Sequence, residues 1–449
     1  MLIKLKNRVS DFALSIKQNK SLVNIIYLAF DKLIRLGLGL IVFTMMARYF
    51  GPEKFGLINY SFSIVYIFCA ISTLGMQGII VRDLVDSRSV GLIIGTGFVV
   101  RFFSAIVLYP ISILTVIILR PDDSLVLYTT SILSLLIFFN NCEVFKYWFE
   151  SKILYKNVVI VENTIFLLVS IVKLAMLYYL VEFEVYILTF AVESLIVCFA
   201  IFCLFKVKSG NTRLEYRFEE AKYLIKTSAP LIISTAAWVV YTRVDTLMVG
   251  NLLGDDDVGY YAAATKVSDI FNFIPIIIVS SFVPIIQKYR NCDQEVYLKK
   301  FQSLYDYTVS LMFIISLVVI LSSDFVIASL FGVEYVNSAS VLKMYIFVVV
   351  INGLALISGK YLLIDGMQKI TMYRHLFGLL LNIPLNLLLI PIYGINGAAV
   401  ATILSLFVSN YLLDYLFVET KVVFYQKTKS LLFVWLFRYI CKKFEELKR

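Results

Sequence analysis

Charged residues are scarce in this sequence. Only 16% of the 449 residues are Asp, Glu, Lys or Arg, whereas 60% are hydrophobic, and the mean hydropathy is +0.86. A soluble domain contains about 25% charged residues, so the composition excludes an ordinary soluble protein and is typical of an integral membrane protein. A net charge of +10 can indicate nucleic-acid binding, but here the membrane topology explains it, and we expect no nucleic-acid partner.

Residue types that particular chemistries require are also missing. The single histidine, His375, excludes a metal centre built on histidine ligands, and there is no GxxxxGK[ST] motif for nucleotide binding. The six cysteines lack paired metal-type spacing, so we expect buried free thiols rather than disulfides. These cysteines are Cys69, Cys142, Cys198, Cys203, Cys292 and Cys441. We therefore predict no catalytic residues, no metal site and no cofactor.

Long apolar runs fill most of the chain. A bilayer core of about 30 Å requires about 20 apolar residues per helix, and twelve such runs fit with short connections. We predict an all-α integral membrane protein with spans near residues 22–47, 56–81, 90–118, 125–148, 157–180, 185–205, 229–250, 259–286, 307–330, 339–360, 373–391 and 396–418.

Basic residues alternate sharply between the connecting segments. Both termini and every second loop together contain 31 Lys and Arg residues, whereas the six loops between them contain only Arg48, Lys54 and Arg120. Lys and Arg accumulate in the cytoplasmic loops of membrane proteins. The sequence therefore predicts an even number of spans and places both termini in the cytoplasm.

The two halves of the chain contain an internal repeat. Met45–Gly56 follows the first span and Met248–Gly259 follows the seventh, and one methionine and two glycines recur at a constant offset of 203 residues. Because six spans separate the copies, both have the same orientation, which predicts a pseudo-twofold axis along the membrane normal. We expect a cytoplasmic amphipathic N-terminus, two six-helix lobes and a basic amphipathic cytoplasmic tail, in residues 1–21, 22–217, 218–418 and 419–449.

Basic residues inside the predicted spans are the main candidates for substrate binding. A charge at mid-bilayer costs between about 2.5 and more than 10 kcal/mol, so it usually faces a bundle interior or a water-filled cavity. Arg101 and Lys173 have no acidic residue within four positions. Guanidinium and ammonium groups are natural partners of phosphate. We predict a cationic cavity that binds an anionic group, formed by Lys32, Arg35, Arg101, Lys173, Arg243 and Lys266.

Acidic residues in the spans suggest a second kind of site. Intramembrane acids form proton relays and ion sites in transporters, and the candidates for ion coupling are Asp31, Glu162, Glu193 and Asp245. A structural alternative stays open for all these charges, namely ion pairs that lock helices together. Asp31 with Arg35, and Lys266 with Asp269, have the spacing for such pairs along one helix.

Three segments resemble one family of membrane proteins. The sequence Ala47–Gly56 is similar to the signature that follows the first helix of bacterial polysaccharide flippases, which export O-antigen and capsular repeat units. These flippases belong to the multidrug/oligosaccharidyl-lipid/polysaccharide (MOP) exporter superfamily. Leu74–Asp83 looks like the end of the family's second helix, and Tyr393–Thr402 looks like the start of its twelfth. The resemblance extends over the whole chain, although these motifs belong to the scaffold rather than to substrate contacts.

The resemblance implies a fold and a function. It implies two six-helix bundles arranged as a V around a central cavity, in a bacterial inner membrane. The implied substrate is an oligosaccharide on undecaprenyl pyrophosphate, moved from the cytoplasmic to the outer leaflet and driven by a proton or sodium gradient. Expected partners are this lipid-linked substrate, membrane lipids, and the polymerase and chain-length regulator of the same pathway. We expect a monomer, because the cavity lies within one chain.

Other functions remain alternatives at this point. A drug or cation antiporter of the same superfamily should carry acids in its cavity, whereas the deep charges here are mostly basic. A peptidoglycan-precursor flippase typically has two further helices, and no clear span follows residue 418. A membrane polymerase or ligase is expected to place catalytic residues in a sizeable external loop, and the predicted external loops are short.

Overall fold

The structure is a computed structural model that describes residues 20–86, 88–210 and 212–434, with side chains described from residue 35 onward. Three predictions therefore fall outside the described residues: the amphipathic N-terminus, the tail beyond residue 434, and the side chains of Asp31 and Lys32. Within the described ranges the chain is helical and contains no strand.

Eighteen α-helices account for most of the described residues. In the first half they are α1 Lys20–Ser72, α2 Gln77–Val85, α3 Val90–Leu119, α4 Ser124–Leu133, α5 Leu135–Phe139, α6 Glu143–Ser151, α7 Tyr155–Tyr178 and α8 Phe183–Lys208. In the second half they are α9 Phe218–Leu252, α10 Asp255–Phe271, α11 Phe273–Gln287, α12 Gln294–Phe331, α13 Asn337–Tyr345, α14 Phe347–Ile364, α15 Gln368–Tyr393, α16 Ile395–Phe407, α17 Leu413–Leu416 and α18 Lys421–Leu431.

The described part of the chain contains eleven helical stretches that are long and apolar enough to cross a membrane. The first stretch, Arg35–Val85, has 51 residues, which at 1.5 Å per residue would extend about 75 Å, more than twice the thickness of a bilayer core. It contains the predicted span 56–81 and the second half of the predicted span 22–47. The other ten stretches each overlap one predicted span, so the count of eleven accommodates the twelve predicted spans.

The break between the first two spans lies at Gly51. Its backbone has φ 73° and ψ 174°, a conformation that glycine adopts without steric cost, and Pro52 then begins the next helical segment. Gly254, its counterpart in the predicted repeat, has φ 115° and ψ −178°. The two glycines that the repeat aligns thus have similar backbone conformations at equivalent points of the two halves.

The second glycine pair of the repeat forms a reciprocal close contact. A Cβ atom on Gly56 would lie 1.8 Å from the carbonyl oxygen of Asp255, and a Cβ atom on Gly259 would lie 2.3 Å from the carbonyl oxygen of Pro52. Backbone therefore packs directly on backbone at this point, and a side chain at either position would force the helices apart.

The chain divides into two compact units. One comprises the residues up to Tyr49 together with Ile64–Thr235, and the other comprises Phe50–Ser63 together with Ala236 and the residues after it. Helix α9 contributes residues to both units. The lobe boundaries at 22–217 and 218–418, which rest on the repeat, remain a prediction.

The segment between the predicted spans 185–205 and 229–250, which the charge pattern places among the cytoplasmic loops, is largely helical. Helix α8 continues to Lys208 and α9 begins at Phe218, so the non-helical connection is shorter than predicted. This connection lies along α3, where the amide of Glu215 donates to the carbonyl oxygen of Gly91 over 3.0 Å. A Cβ atom on Gly95 would lie 2.4 Å from the carbonyl oxygen of Glu215, so the glycines of α3 provide room for the connection.

One cysteine prediction was wrong. The structure joins Cys142 and Cys198 in a disulfide, while Cys69, Cys203 and Cys292 are free. Cys142 precedes α6 and Cys198 lies within α8, so the two residues are separated by 56 positions in the sequence. Their proximity results from helix packing, which cysteine spacing alone does not reveal.

The described part of the tail forms helix α18, which docks on its own unit with a polar face. Gln426, Lys427 and Ser430 are buried, and the amide of Gln426 donates to the carbonyl oxygen of Leu298 in α12 over 2.9 Å. The exposed face carries Lys421 and Lys429 together with apolar residues. The polar groups of this helix are therefore used for docking as well as for contact with solvent.

Candidate functional site

The first unit contains a charged cluster centred on Glu162 of α7. One carboxylate oxygen accepts from the Arg35 guanidinium at 2.9 Å and the other lies 2.6 Å from the Lys146 ammonium. Arg35 also donates to the side-chain oxygen of Asn163 over 3.0 Å. The Arg35 side chain remains 35% exposed. One acid is thus shared by two cations, and the more exposed of the two is a predicted substrate-binding residue.

Arg101 of α3 is completely buried. Its guanidinium donates to the Tyr147 hydroxyl over 3.1 Å and to the carbonyl oxygen of Asn140 over 3.0 Å, and it lies 3.7 Å from the carboxylate of Glu143. These contacts connect α3 to the start of α6. A residue with no exposed surface does not contact a substrate in this conformation, so the structure corrects the prediction that Arg101 lines an open cavity.

Lys173 of α7 is also paired rather than free. Its ammonium lies 2.5 Å from the carboxylate of Glu193 in α8 and 3.9 Å from the centre of the Phe190 ring. Only 5% of the Lys173 side chain is exposed. No acidic residue lies within four positions of Lys173, but Glu193 of the next helix supplies one.

A small polar cavity lies between these groups in the first unit. Its volume is about 110 Å³, and its polar lining residues are Asn140, Glu143, Lys146, Glu193 and Ser194. Two carboxylates and one ammonium therefore face the same space. The disulfide formed by Cys142 and Cys198 also lines this cavity.

The predicted cations of the second unit lie together. Arg243 of α9 and Lys266 of α10 are both half-buried and are close enough to interact electrostatically, and Asp269 interacts with both. Lys266 and Asp269 are on one helix, as the i,i+3 spacing predicts. Among the described residues, this group brings two cations and one acid together at α9 and α10.

Asp245 of α9 has a different environment. It is buried and accepts hydrogen bonds from the Asn386 amide at 2.6 Å, from the Tyr261 hydroxyl at 3.3 Å and from the Thr402 hydroxyl. These donors come from α15, α10 and α16 and are all neutral. Within the part of the chain that has described side chains, no Lys, Arg or His pairs with Asp245.

The surroundings of Asp245 are suited to a small cation. A buried carboxylate without a cationic partner is costly, and it is normally neutralised by a bound ion or a proton. Asn386 contributes a side-chain oxygen, Oδ1, that is buried and has no hydrogen-bond donor among the described residues. Carboxylate, hydroxyl and amide oxygens are the ligands that hard cations prefer. Of the predicted ion-coupling acids that the structure describes, Asp245 alone is not neutralised by a basic side chain.

Sequence reasoning missed several charged residues of both units. Lys146 and Arg374 lie at the ends of predicted spans and were not among the predicted site residues, and Lys427 was assigned to the basic amphipathic tail, but all three lie in helices and are largely or wholly buried. Arg374 and Lys427 both pair with Asp414.

Comparison with known proteins places the chain in a family. The sequence profile of the family described as polysaccharide biosynthesis protein matches residues 21–290, and that of the MatE family matches residues 230–388. A probable low-salt glycan biosynthesis flippase, Agl15 of Haloferax volcanii, is 25% identical over 197 residues, which is 43% of this chain and 42% of that protein. A putative O-antigen transporter of Shigella flexneri is 27% identical over 192 residues, or 42% of this chain and 44% of that one. Each alignment therefore spans less than half of the relative.

Solved structures match over almost the entire chain. The lipid II flippase MurJ in an inward closed conformation has a TM-score of 0.71 at 16% identity, with 93% of each chain covered. An inward-facing multidrug resistance MATE family transporter of the MOP superfamily has a TM-score of 0.65 at 12% identity, with 90% of this chain and 95% of the other covered. At these identities the likeness establishes the two-lobe fold and no more. Since the family profile covers more than half of the residues, this chain belongs to the polysaccharide biosynthesis protein family, with the fold of the MOP exporter superfamily.

Proposed function

We propose that this protein is an ion-coupled flippase. Its substrate would be an undecaprenyl-pyrophosphate-linked oligosaccharide repeat unit, moved from the cytoplasmic to the outer leaflet of a bacterial inner membrane for O-antigen or capsule synthesis. The family membership carries this proposal, and the relatives described as an O-antigen transporter and a glycan flippase support it. The fold of a secondary transporter and the absence of a nucleotide-binding motif are consistent with a gradient as the energy source.

The charged groups with exposed surface are the best candidates for the pyrophosphate. Arg35 offers a guanidinium in the first unit, and Arg243 and Lys266 offer two cations in the second. A guanidinium that leaves a carboxylate for a phosphate exchanges one charge-assisted bond for another, so pairing with Glu162 does not exclude Arg35 from binding. Lys32 remains a prediction. Arg101 and Lys173 are assigned to holding the helices in place.

Asp245 is the best candidate for the coupling ion. Glu162 already pairs with two basic groups and Glu193 with one, whereas the described neighbours of Asp245 are neutral. A proton or a sodium ion that binds there removes a buried charge, and this change can alter the packing of α9 against α15 and α16. Loading and release of that ion would thus bias the second unit between two conformations.

A flipping assay with purified protein tests the proposed function. Proteoliposomes would carry a fluorescent undecaprenyl-pyrophosphate oligosaccharide in both leaflets, and a membrane-impermeant reductant would report how fast label reaches the accessible leaflet. We expect the protein to accelerate this movement. A lipid that stays in its leaflet, in vesicles where the protein is folded, would overturn the proposal.

A substitution of Arg35 tests in the same assay whether this residue binds the pyrophosphate headgroup. Loss of one charge-assisted hydrogen bond costs about 1.5–3 kcal/mol. Arg35→Gln should therefore raise the substrate concentration that gives half the maximal flipping rate about tenfold or more. Arg290→Gln is the matched control, because the Arg290 side chain is 40% exposed and pairs with Asp365 at 2.8 Å. Equal effects of the two variants would remove Arg35 from the binding site.

A further inference from the structure

A second buried charge cluster lies around Asp414 of α17, further along the chain than Thr402, the residue of α16 that contacts Asp245. Both carboxylate oxygens of Asp414 are occupied, one by the Arg374 guanidinium and the other by the Lys427 ammonium at 2.8 Å. Lys427 also donates to the carbonyl oxygen of Asn410 over 2.6 Å. The exposed fractions of the three side chains are 2%, 0% and 0% for Arg374, Asp414 and Lys427. Two cations thus share one acid in a fully buried site.

This cluster contains more hydrogen-bond donors than acceptors. Arg374 donates to the Ser358 hydroxyl over 3.0 Å, but its Nε atom and the hydroxyl of Tyr305 are buried without a partner among the described residues. An ammonium has three donors and no acceptor, and a guanidinium has five donors. Loss of one proton from Lys427 would cancel the surplus charge and convert a donor into an acceptor.

The groups around Lys427 favour the loss of its proton. It faces Arg374 from α15, Asp414 from α17 and the Asn410 carbonyl from the π-helical segment Val408–Leu412, while Tyr305 of α12 lies beside Arg374 and Asp414. Burial is the main cause that lowers the pKa of the Lys427 ammonium to about 7, with Asp414 opposing the shift and Arg374 adding to it. Arginine keeps its proton under all these conditions.

Polar side chains lie between this cluster and Asp245 within the second unit. Asn386 donates to Asp245 at 2.6 Å and to Asn382 at 2.9 Å, and Asn382 donates to the Ser405 hydroxyl over 3.3 Å. The Tyr241 hydroxyl lies 3.0 Å from that of Ser405. Further along the same helical stretch, the Asn410 amide donates to the Ser409 hydroxyl over 3.2 Å.

Asp245 and the Arg374–Asp414–Lys427 cluster carry unbalanced charges of opposite sign. Asp245 is a buried carboxyl group that has no described cationic partner and is negative whenever no proton or cation is bound to it, whereas the Arg374–Asp414–Lys427 cluster has one cation in excess when Lys427 is protonated. Thr402, which contacts Asp245, and Asp414 are twelve positions apart, which is about 18 Å along a helix. At that separation and an effective dielectric constant of about 20, one charge shifts the titration of the other by about 0.7 pH unit.

We propose that Lys427, in its cluster with Arg374 and Asp414, is a proton-binding site of the second unit whose occupancy is linked to the charge on Asp245. The Lys427 amine takes up one proton to form the ammonium paired with Asp414, and it releases that proton to solvent when a cation or proton neutralises Asp245. The link to transport rests on the proposed ion coupling at Asp245, whereas the proton site itself does not.

Thermal unfolding of the purified full-length protein tests the site without any substrate. In the folded protein the pKa of Lys427 lies well below the value of 10.5 that it has in the unfolded chain. Between these two pKa values the unfolded state binds more protons than the folded state. The free energy of unfolding therefore rises with pH in that range. We expect the melting temperature of the wild type to rise relative to that of Lys427→Met between pH 7 and pH 10. Lys427→Arg, which keeps its charge, should lack the rise. The control Lys429→Met removes an exposed lysine from the same helix, and its melting temperature should rise with pH as that of the wild type does.

Each outcome decides one part of the proposal. Parallel curves for the wild type and Lys427→Met would overturn the proton site, and Lys427→Arg provides the same comparison if the methionine variant does not fold. Asp245→Asn should move the start of the rise to lower pH by about 0.7 unit. An unmoved curve in Asp245→Asn would overturn the link while leaving the proton site in place. Failure of lipid flipping would change none of these curves, so the two proposals fail separately.

Discussion

Asp414→Asn gives a quantitative test of the buried charge cluster. The substitution would leave Arg374 and Lys427, which are 2% and 0% exposed, without their carboxylate. Removal of one partner from a buried ion pair costs about 3–5 kcal/mol. With an unfolding entropy of about 2.1 cal/mol/K per residue over 449 residues, each kcal/mol corresponds to about 1 °C, so we expect the melting temperature to fall by about 3–5 °C at pH 6.

The loss should depend on pH in a defined direction. At pH 6, below its pKa of about 7, Lys427 is an ammonium paired with Asp414 in the wild type; in the variant Lys427 must either stay charged without that carboxylate or give up its proton, and both cost stability. At pH 9, above the Lys427 pKa of about 7, Lys427 is neutral in both proteins and only Arg374 lacks its partner. We therefore expect the difference in melting temperature to shrink by about half as the pH rises from 6 to 9.

Intrinsic fluorescence of detergent-purified protein, checked by size-exclusion chromatography, measures both effects. Asp122→Asn is the matched control, because Asp122 lies exposed in the connection between α3 and α4 and should melt like the wild type. An Asp414→Asn variant that melts within about 1 °C of the wild type at pH 6 would refute the claim that Asp414 compensates two buried cations.

Three further predictions concern the fold. Gly56→Ala should lower stability by about 2 kcal/mol or more, because its Cβ would meet the Asp255 carbonyl, whereas Gly78→Ala, with open space at its Cβ, should be neutral or stabilising in the same melt. Alkylation of the denatured protein should modify two more cysteines after reduction than before it, and equal numbers would rule out the Cys142–Cys198 disulfide. Asp256→Cys should react with an impermeant maleimide on intact cells, and reaction only after permeabilisation would reverse the predicted topology.

The arrangement of helices was largely accessible from the sequence. Twenty-residue apolar runs define spans because the bilayer fixes their length, and each predicted span lies in a helical stretch of the structure. The repeat also had a readable signal, since Gly51 and Gly254 are needed for a backbone conformation that other residues rarely adopt. The family followed from the same motifs and is confirmed by the family profile.

The partners of the buried charges were not accessible in the same way. A search for an acid within four residues detects pairs on one helix, but Lys173 and Arg35 find their carboxylates on other helices. Asp245 was identified as an ion-coupling candidate from its position in a span, whereas its neutral surroundings depend on how α10, α15 and α16 pack around α9. Such interhelical contacts have no periodic signature in one sequence.

The tail shows a related limit. Lys427 was counted among the basic residues of the amphipathic cytoplasmic tail, and lysine is almost never fully buried unless it is paired. In the structure it is the most buried lysine of helix α18 and contacts Asp414. Recognising it would have required the position of Asp414, which is set by the end of the last span.

Gradient-dependent flipping in wild-type and Asp245→Asn proteoliposomes tests the central claim most directly. The same fluorescent undecaprenyl-pyrophosphate oligosaccharide would be followed with and without an imposed proton or sodium gradient. We expect one gradient to accelerate movement by the wild type, and we expect Asp245→Asn to lose that acceleration while folding normally. If Asp245→Asn responds to the gradient as the wild type does, the coupling ion does not bind at Asp245 and the proposed mechanism is wrong.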